Sequence, residues 1–110
     1  MIFSRTGNTT VITQETASIV DLVANIEKKY DGLVNDNIIV NLFSVKDFTP
    51  TDINDFLLIS KKHKENKRSF VIVSSRITYD ETPEDLSLVP TLKEAHDLIE
   101  MEEIERDLGI

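Results

Sequence analysis

Asn37-Ile-Ile-Val-Asn-Leu-Phe43, then Thr49-Pro-Thr-Asp-Ile53, then Lys61-Lys-His-Lys-Glu-Asn-Lys-Arg68, then Phe70-Val-Ile-Val-Ser-Ser75 form one continuous strand–helix–strand reading. The first and last pieces are short apolar runs rich in β-branched residues, the pattern of buried strands. A helix-period segment joins them. Two strands connected by a helical crossover imply a parallel pair in an α/β sheet. The turn between strand and helix has its own signature. Thr49 is a good N-cap, Pro50 suits the first helical position, and Asp52 stands where a capping-box carboxylate belongs. That arrangement puts the Thr51 hydroxyl in the first helical turn, where spare backbone N–H groups favour a phosphate.

Outward from this unit, Met1-Ile-Phe3 and Thr10-Val-Ile-Thr13 read as short strands joined around Gly7-Asn8 in a hairpin. A helix follows from about Ala17 to Tyr30, its stripe formed by Ile19, Leu22, Val23, Ile26 and Tyr30. Ser18 with Asp21 makes a capping-box start, with Thr16 as an alternative, and Gly32 is placed to end the helix in the left-handed conformation. The second helix spans roughly Pro50 to Asn66. Ile53, Phe56, Leu57 and Ser60 bury it, and Leu58 and Ile59 widen the stripe. Arg76 to Asp85 is polar, contains Pro83, and reads as a loop or single turn. Leu86-Ser-Leu-Val89 is a short strand stopped by Pro90. Thr91 and Glu94 cap a last helix carrying Leu92, Ala95 and Ile99 on one stripe and Leu98, Met101 and Leu108 on another. Its charged end, Glu100 to Asp107, is expected to project past the sheet edge. The order is β-β-α-β-α-β-β-α. It predicts an α/β mixed sheet with helices packed mainly on one face, since a single domain over 1–110 has little chain to spare for a second layer.

Composition narrows the functions. The chain has 110 residues, no cysteine and a net charge of −8. Without cysteine there are no disulfides, thiol nucleophiles or thiolate metal sites. The acidic balance argues against direct nucleic-acid binding. No apolar run approaches a membrane span and the N-terminus lacks a signal-peptide layout, so no membrane partner is expected and a cytoplasmic location is the default. The charge is unevenly placed. Residues 91–110 carry a net −5, whereas 61–68 hold Lys61, Lys62, Lys64, Lys67 and Arg68 against Glu65 alone. Both runs read as solvated helix faces, or as one polarised surface for a protein partner. The basic run also complements the C-terminal end of a helix dipole. The acidic last helix of a second copy is one candidate to meet it, which implies a homodimer.

Chemical motifs are sparse. His63 and His96 stand in unrelated contexts, and His96 with Glu100 at i, i+4 is an ordinary helix-surface pair. There is no Gly-x-Ser-x-Gly elbow, and three glycines at 7, 32 and 109 make no phosphate-binding loop. The reading is non-enzymatic, with no catalytic residues, metal site or cofactor. The rival from another class is an enzyme whose carboxylates serve as acid, base or metal ligand, to be recognised by a deep pocket where they converge.

The chain resembles the STAS domain, the module of sulphate transporters and anti-sigma factor antagonists. Val40-Asn-Leu-Phe43, Phe48-Thr-Pro-Thr-Asp-Ile53 and Phe70-Val-Ile-Val73 fall at that family's spacing, and Val89-Pro-Thr-Leu-Lys-Glu-Ala95 is similar to the segment opening its final helix. These matches cover about residues 38–99. In the resemblance, Thr51 stands at the turn serine phosphorylated in anti-sigma antagonists, Pro50 at the serine before it, Thr49 at an aspartate and Asp52 at a glycine. Thr13-Gln-Glu-Thr16 replaces the Gly-Glu-Leu-Asp-type signature, and the helix between the last two strands shortens to Arg76–Asp85. The resemblance implies a regulatory module that binds another protein, a kinase or anti-sigma-like partner. Thr51 and Thr49 would be its phosphorylation positions, and Thr49, Thr51, Asp52, Asp55, Lys61, Lys62 and Lys64 its docking surface. A second resemblance is to short acidic bacterial proteins labelled ribonuclease Z. The His-x-His-x-Asp-His cluster that such a nuclease needs is absent, so this resemblance implies at most a non-catalytic partner of an RNA-processing nuclease.

Overall fold

Five strands form one sheet in chain order: β1 (Ile2–Thr6), β2 (Thr9–Thr13), β3 (Asn37–Asn41), β4 (Phe70–Val73) and β5 (Ser87–Val89). The computed structural model describes residues 2–14, 18–43, 45, 48–77 and 79–109. β1 and β2 make an antiparallel hairpin with Thr6 opposite Thr9. Gly7, at φ +61°, takes the first central position of its two-residue turn, where a left-handed backbone suits glycine. All later pairings, β2–β3, β3–β4 and β4–β5, are parallel. The edge strand β5 has only three residues and the other edge strand, β1, carries Arg5, both of which oppose edge-to-edge pairing.

The expected order of elements and the mixed sheet are both present. Helix α1 (Ile19–Lys28) starts at Ser18, whose hydroxyl accepts from the Asp21 N–H at 3.2 Å. The alternative start at Thr16 and the expected first residue Ala17 lie outside the described residues. Gly32 does not take the left-handed conformation. The chain leaves α1 through a 3₁₀ turn, Tyr30–Gly32, and among the described glycines only Gly7 and Gly109 have positive φ. The second helix is a continuous right-handed run in three pieces: α2 (Pro50–Ile53), a 3₁₀ turn (Asn54–Phe56) and α3 (Leu57–Glu65). Among the described residues between β4 and β5 there is one 3₁₀ turn, Tyr79–Glu81, in line with the shortened segment. Helix α4 (Leu92–Asp107) closes the chain, with Thr91 Oγ1 accepting from the Glu94 N–H.

Alternation along the central strands sorts the core into two layers. Ile12, Ile38, Val40, Phe70 and Ile72 point to the face covered by α1, α2 and α3, where they meet Leu22, Ile26, Ile53, Phe56 and Ile59. Ile39, Val71 and Val73 point the other way and are covered by Ala95 and Ile99 of α4. Two of the three helical runs therefore share one face, and α4 takes the face that chain length alone had left bare. Each residue of β3 from Ile38 to Val40 is fully buried, so both layers are needed. The far end of α4 does not project past the sheet. Asn8 donates to Glu103 and Ser69 to Glu102, while Arg106 donates to Ser69 Oγ and Asn37 Oδ1. Leu58 does not widen the buried stripe either. It is 76% exposed, and His63 continues the stripe in its place.

His63 belongs to a polar clasp at the N-terminal ends of the parallel strands. Its Nε2 lies 2.6 Å from the Asp36 carbonyl oxygen, which can only accept, so Nε2 carries the proton. Nδ1 then accepts from the Tyr30 hydroxyl at 2.7 Å, and Tyr30 in turn accepts from Asn66 at 3.1 Å. The Asp36 carboxylate receives Arg5 at 3.0 Å and Thr10 at 2.9 Å, which ties the hairpin to the same point. This buried, directional chain requires neutral imidazole. Burial pushes the His63 pKa below the usual 6.5, against a smaller opposing pull from the hydrogen bond to Asp36. A depressed histidine pKa means the unfolded chain binds the proton first. Stability is therefore full above the unfolded value and falls as pH drops below it, by up to about 1.4 kcal/mol per pH unit. Urea unfolding between pH 7.5 and 5.5 should show this loss in the wild type and in His96→Gln, but not in His63→Gln. A wild-type midpoint that stays flat across that range would contradict the assignment.

Candidate functional site

The parallel strands end beside one another at Thr13, Asn41, Val73 and Val89. The chain leaving β3 passes Phe43, 64% exposed, and turns into the second helix at Thr49. The turn forms because proline at the first helical position has a suitable φ and no N–H to satisfy. Asp52 then folds back on the turn, its carboxylate accepting the Thr49 N–H at 2.9 Å. The Asp52 N–H bonds the Thr49 carbonyl at 3.0 Å. Ile53 and Phe56 anchor the run from below, and the Phe56 and Phe70 rings pack with centroids 6.2 Å apart.

The predicted site residues fall on this helix in a consistent way. Thr49, Thr51 and Asp55 are exposed, and Asp52 is half-buried by its role in the turn. Thr51, Asp55, Leu58 and Lys62 succeed one another at helical spacing along the solvent side, with Lys61 beside them. The surface thus runs from acidic at the helix start, through an apolar centre, to basic at the helix end. Leu58 also borders a shallow groove of about 290 Å³ between α1 and α3, lined by Glu27, Tyr30, Leu58, Ile59 and Lys62. Lys62 Nζ sits 4.6 Å from the Tyr30 ring centroid, a cation–π contact that holds the groove wall.

The basic run is not all free for a partner. Lys64 donates to the Asp85 carbonyl at 2.9 Å and to Ser87 Oγ at 3.3 Å, which fastens α3 to the start of β5. Arg68 donates to the Asn35 carbonyl at 2.9 Å. Lys61 and Lys62 remain solvent-facing on the helix ridge. Sequence reasoning missed Leu58 as a surface residue and His63 as a buried one. The signal for His63 was its position three and four residues beyond Ser60 and Ile59 on the buried stripe. Among the described residues no group of three or more histidines and carboxylates stands close enough to hold a metal ion.

Comparison with known proteins places this architecture. The chain is similar to the structure of RsbS from Moorella thermoacetica, a STAS-domain protein solved as a serine-to-glutamate variant. The TM-score is 0.67 over 90% of this chain and 93% of that one, at 8% sequence identity. It is also similar to the NMR structure of the protein TM1081, with a TM-score of 0.66 over 89% of this chain and 86% of that one, at 12% identity. No family model and no curated protein matches the sequence. The chain has a divergent STAS fold, as the spacing of its strand–helix–strand unit and of Val89–Ala95 implies.

The capping geometry is testable. Asp52→Ala removes the acceptor for Thr49 N–H and a first-turn negative charge, and should cost about 1 kcal/mol in urea unfolding. Asp55→Ala, exposed and outside the capping pair, should change stability by less than about 0.5 kcal/mol.

Proposed function

We propose that this protein is a non-enzymatic, cytoplasmic regulatory module that binds another protein through the exposed side of its second helix, in the manner of an anti-sigma factor antagonist. The observation that carries this reading is the solvent-facing ridge of that helix. It opens with an uncovered Thr51 hydroxyl and passes an exposed leucine between carboxylates and lysines. A single exposed leucine with carboxylates on one side and lysines on the other offers a partner one apolar anchor and charge of both signs. In this reading Thr49, Thr51, Asp52 and Asp55 meet the partner's basic groups, Lys61 and Lys62 its acidic ones, and Lys64 lies at the rim.

Phosphorylation of Thr51, or of Thr49 beside it, is the proposed switch. The phosphate adds about −1.5 to −2 charge to a turn that already carries Asp52 and Asp55. It strengthens the helix start through the dipole and at the same time changes the field the partner meets. The fold likeness to a STAS-domain protein supports a partner-binding role over catalysis. The basic end of α3 against the acidic α4 of a second copy is a weaker mode, because Lys64 and Arg68 already serve backbone carbonyls.

Capture from the native cell on immobilised wild type, Thr51→Glu and Leu58→Glu, read by quantitative mass spectrometry, tests the surface and the switch together. A partner held by the wild type should fall about tenfold on both variants, the loss of a single anchoring contact. Thr51 phosphopeptides should appear in the purified native protein. Equal recovery on all three baits would contradict the proposal.

A further inference from the structure

Helix α4 carries two apolar stripes on opposite sides. Ala95 and Ile99 face the sheet and are buried. Met101, Ile104 and Leu108 recur three and four residues apart, and the 3.6-residue period turns them almost directly away from Ala95 and Ile99. They are 57%, 54% and 68% exposed. The sheet thus uses one side of the helix and leaves a solvent-facing ridge on the other. Along this ridge the exposed acids Glu100 and Asp107 lie on one flank and Glu94 and Glu105 on the other. Of the helix's two cations, Lys93 pairs with Asp97 at 3.2 Å on the outward side, one turn before Met101, and Arg106 turns inward to Ser69 and Asn37.

The flanks select the occupant. Two copies meeting ridge to ridge would bring their carboxylates together, which like-charge repulsion opposes. An anionic bilayer is repelled for the same reason. A helix whose own apolar stripe is bordered by lysine or arginine satisfies both parts of the surface, the ridge by helix-against-helix packing and the acids by rim pairing. We propose that the outward ridge of α4 docks an amphipathic, basic-flanked helix of another protein. This surface lies on the opposite face of the sheet from α2 and α3. The module then has two docking faces, and this inference stands independently of the role proposed for Thr51.

The test is an NMR titration of the ¹⁵N-labelled protein with synthetic helix-forming peptides of about 18 residues, long enough to form several turns. One peptide has a leucine stripe with lysine flanks; its counterpart has glutamate flanks. The lysine peptide should shift resonances centred on Met101, Ile104 and Leu108, and the glutamate peptide should not bind. Ile104→Gln and Met101→Gln, both at exposed positions, should keep the wild-type unfolding midpoint and each weaken binding about tenfold. Three results would overturn the proposal. One is shifts scattered over the acidic surface and unaffected by Ile104→Gln. Another is self-association through α4 without peptide. The third is no binding of the lysine peptide.

Discussion

The parallel strands β2 to β5 are laid down in one direction across the sheet, and this single constraint organises the rest of the molecule. A right-handed crossover between neighbouring parallel strands, repeated in the same direction, must place every connection on the same face. The two helical crossovers and the Ile77 and Leu86 side chains of the last connection all pack into one layer, as this rule requires. The opposite face is left to the one helix that makes no crossover. Ile39, Val71 and Val73 are essentially fully buried there. Leaving such side chains in water would cost roughly 1.5–3 kcal/mol each. Helix α4 is therefore part of the core, and its polar half is pinned by Asn8, Asn37 and Ser69 along the strand starts.

The two ends of the sheet are then used differently. At the N-terminal ends of the parallel strands, Asp36 gathers the hairpin through Arg5 and Thr10 and the second helix through His63. Thr10, Tyr30, Asp36 and His63 are turned inward and joined in one hydrogen-bonded cluster. At the C-terminal ends, Leu42, Val45 and Ile53 are buried in the core, while Thr49 and Thr51 at the start of the second helix face solvent. The capping pair of Thr49 and Asp52 is local, so it needs no partner from elsewhere to hold Thr51 in place. One end of the sheet is thus held by long-range hydrogen bonds and the other by a local cap.

Much of this was legible in the residues, and the failures have specific causes. The strand–helix–strand unit was readable because β-branched runs and the Thr49-Pro-Thr-Asp52 start are local signals. The position of Thr51 followed from them. Chain length suggests a bare second face, whereas strand direction and crossover hand decide that α4 covers it. Leu58 and Ile59 are adjacent and equally apolar, so composition could not say which faces inward; Ile59 does, together with Ser60 and His63. Lys64 looked like a free surface charge because its partners, Asp85 and Ser87, lie more than twenty residues away. The second stripe of α4 was visible as a pattern, but only the packed sheet shows that it turns outward. At 8% and 12% identity to its structural neighbours, the chain keeps the fold through such patterns of burial and turn chemistry.

Native-state hydrogen exchange tests whether α4 and the parallel sheet form one cooperative core. Amides of Ile38 to Val40, Val71 to Val73 and Ala95 to Ile99 should exchange only through global unfolding, with the same free energy as urea denaturation. The amides of Thr51 and Asp52 should exchange far faster. Opening of α4 at a free energy well below that of β3 and β4 would contradict it, because the sheet would then hold its second face without the helix.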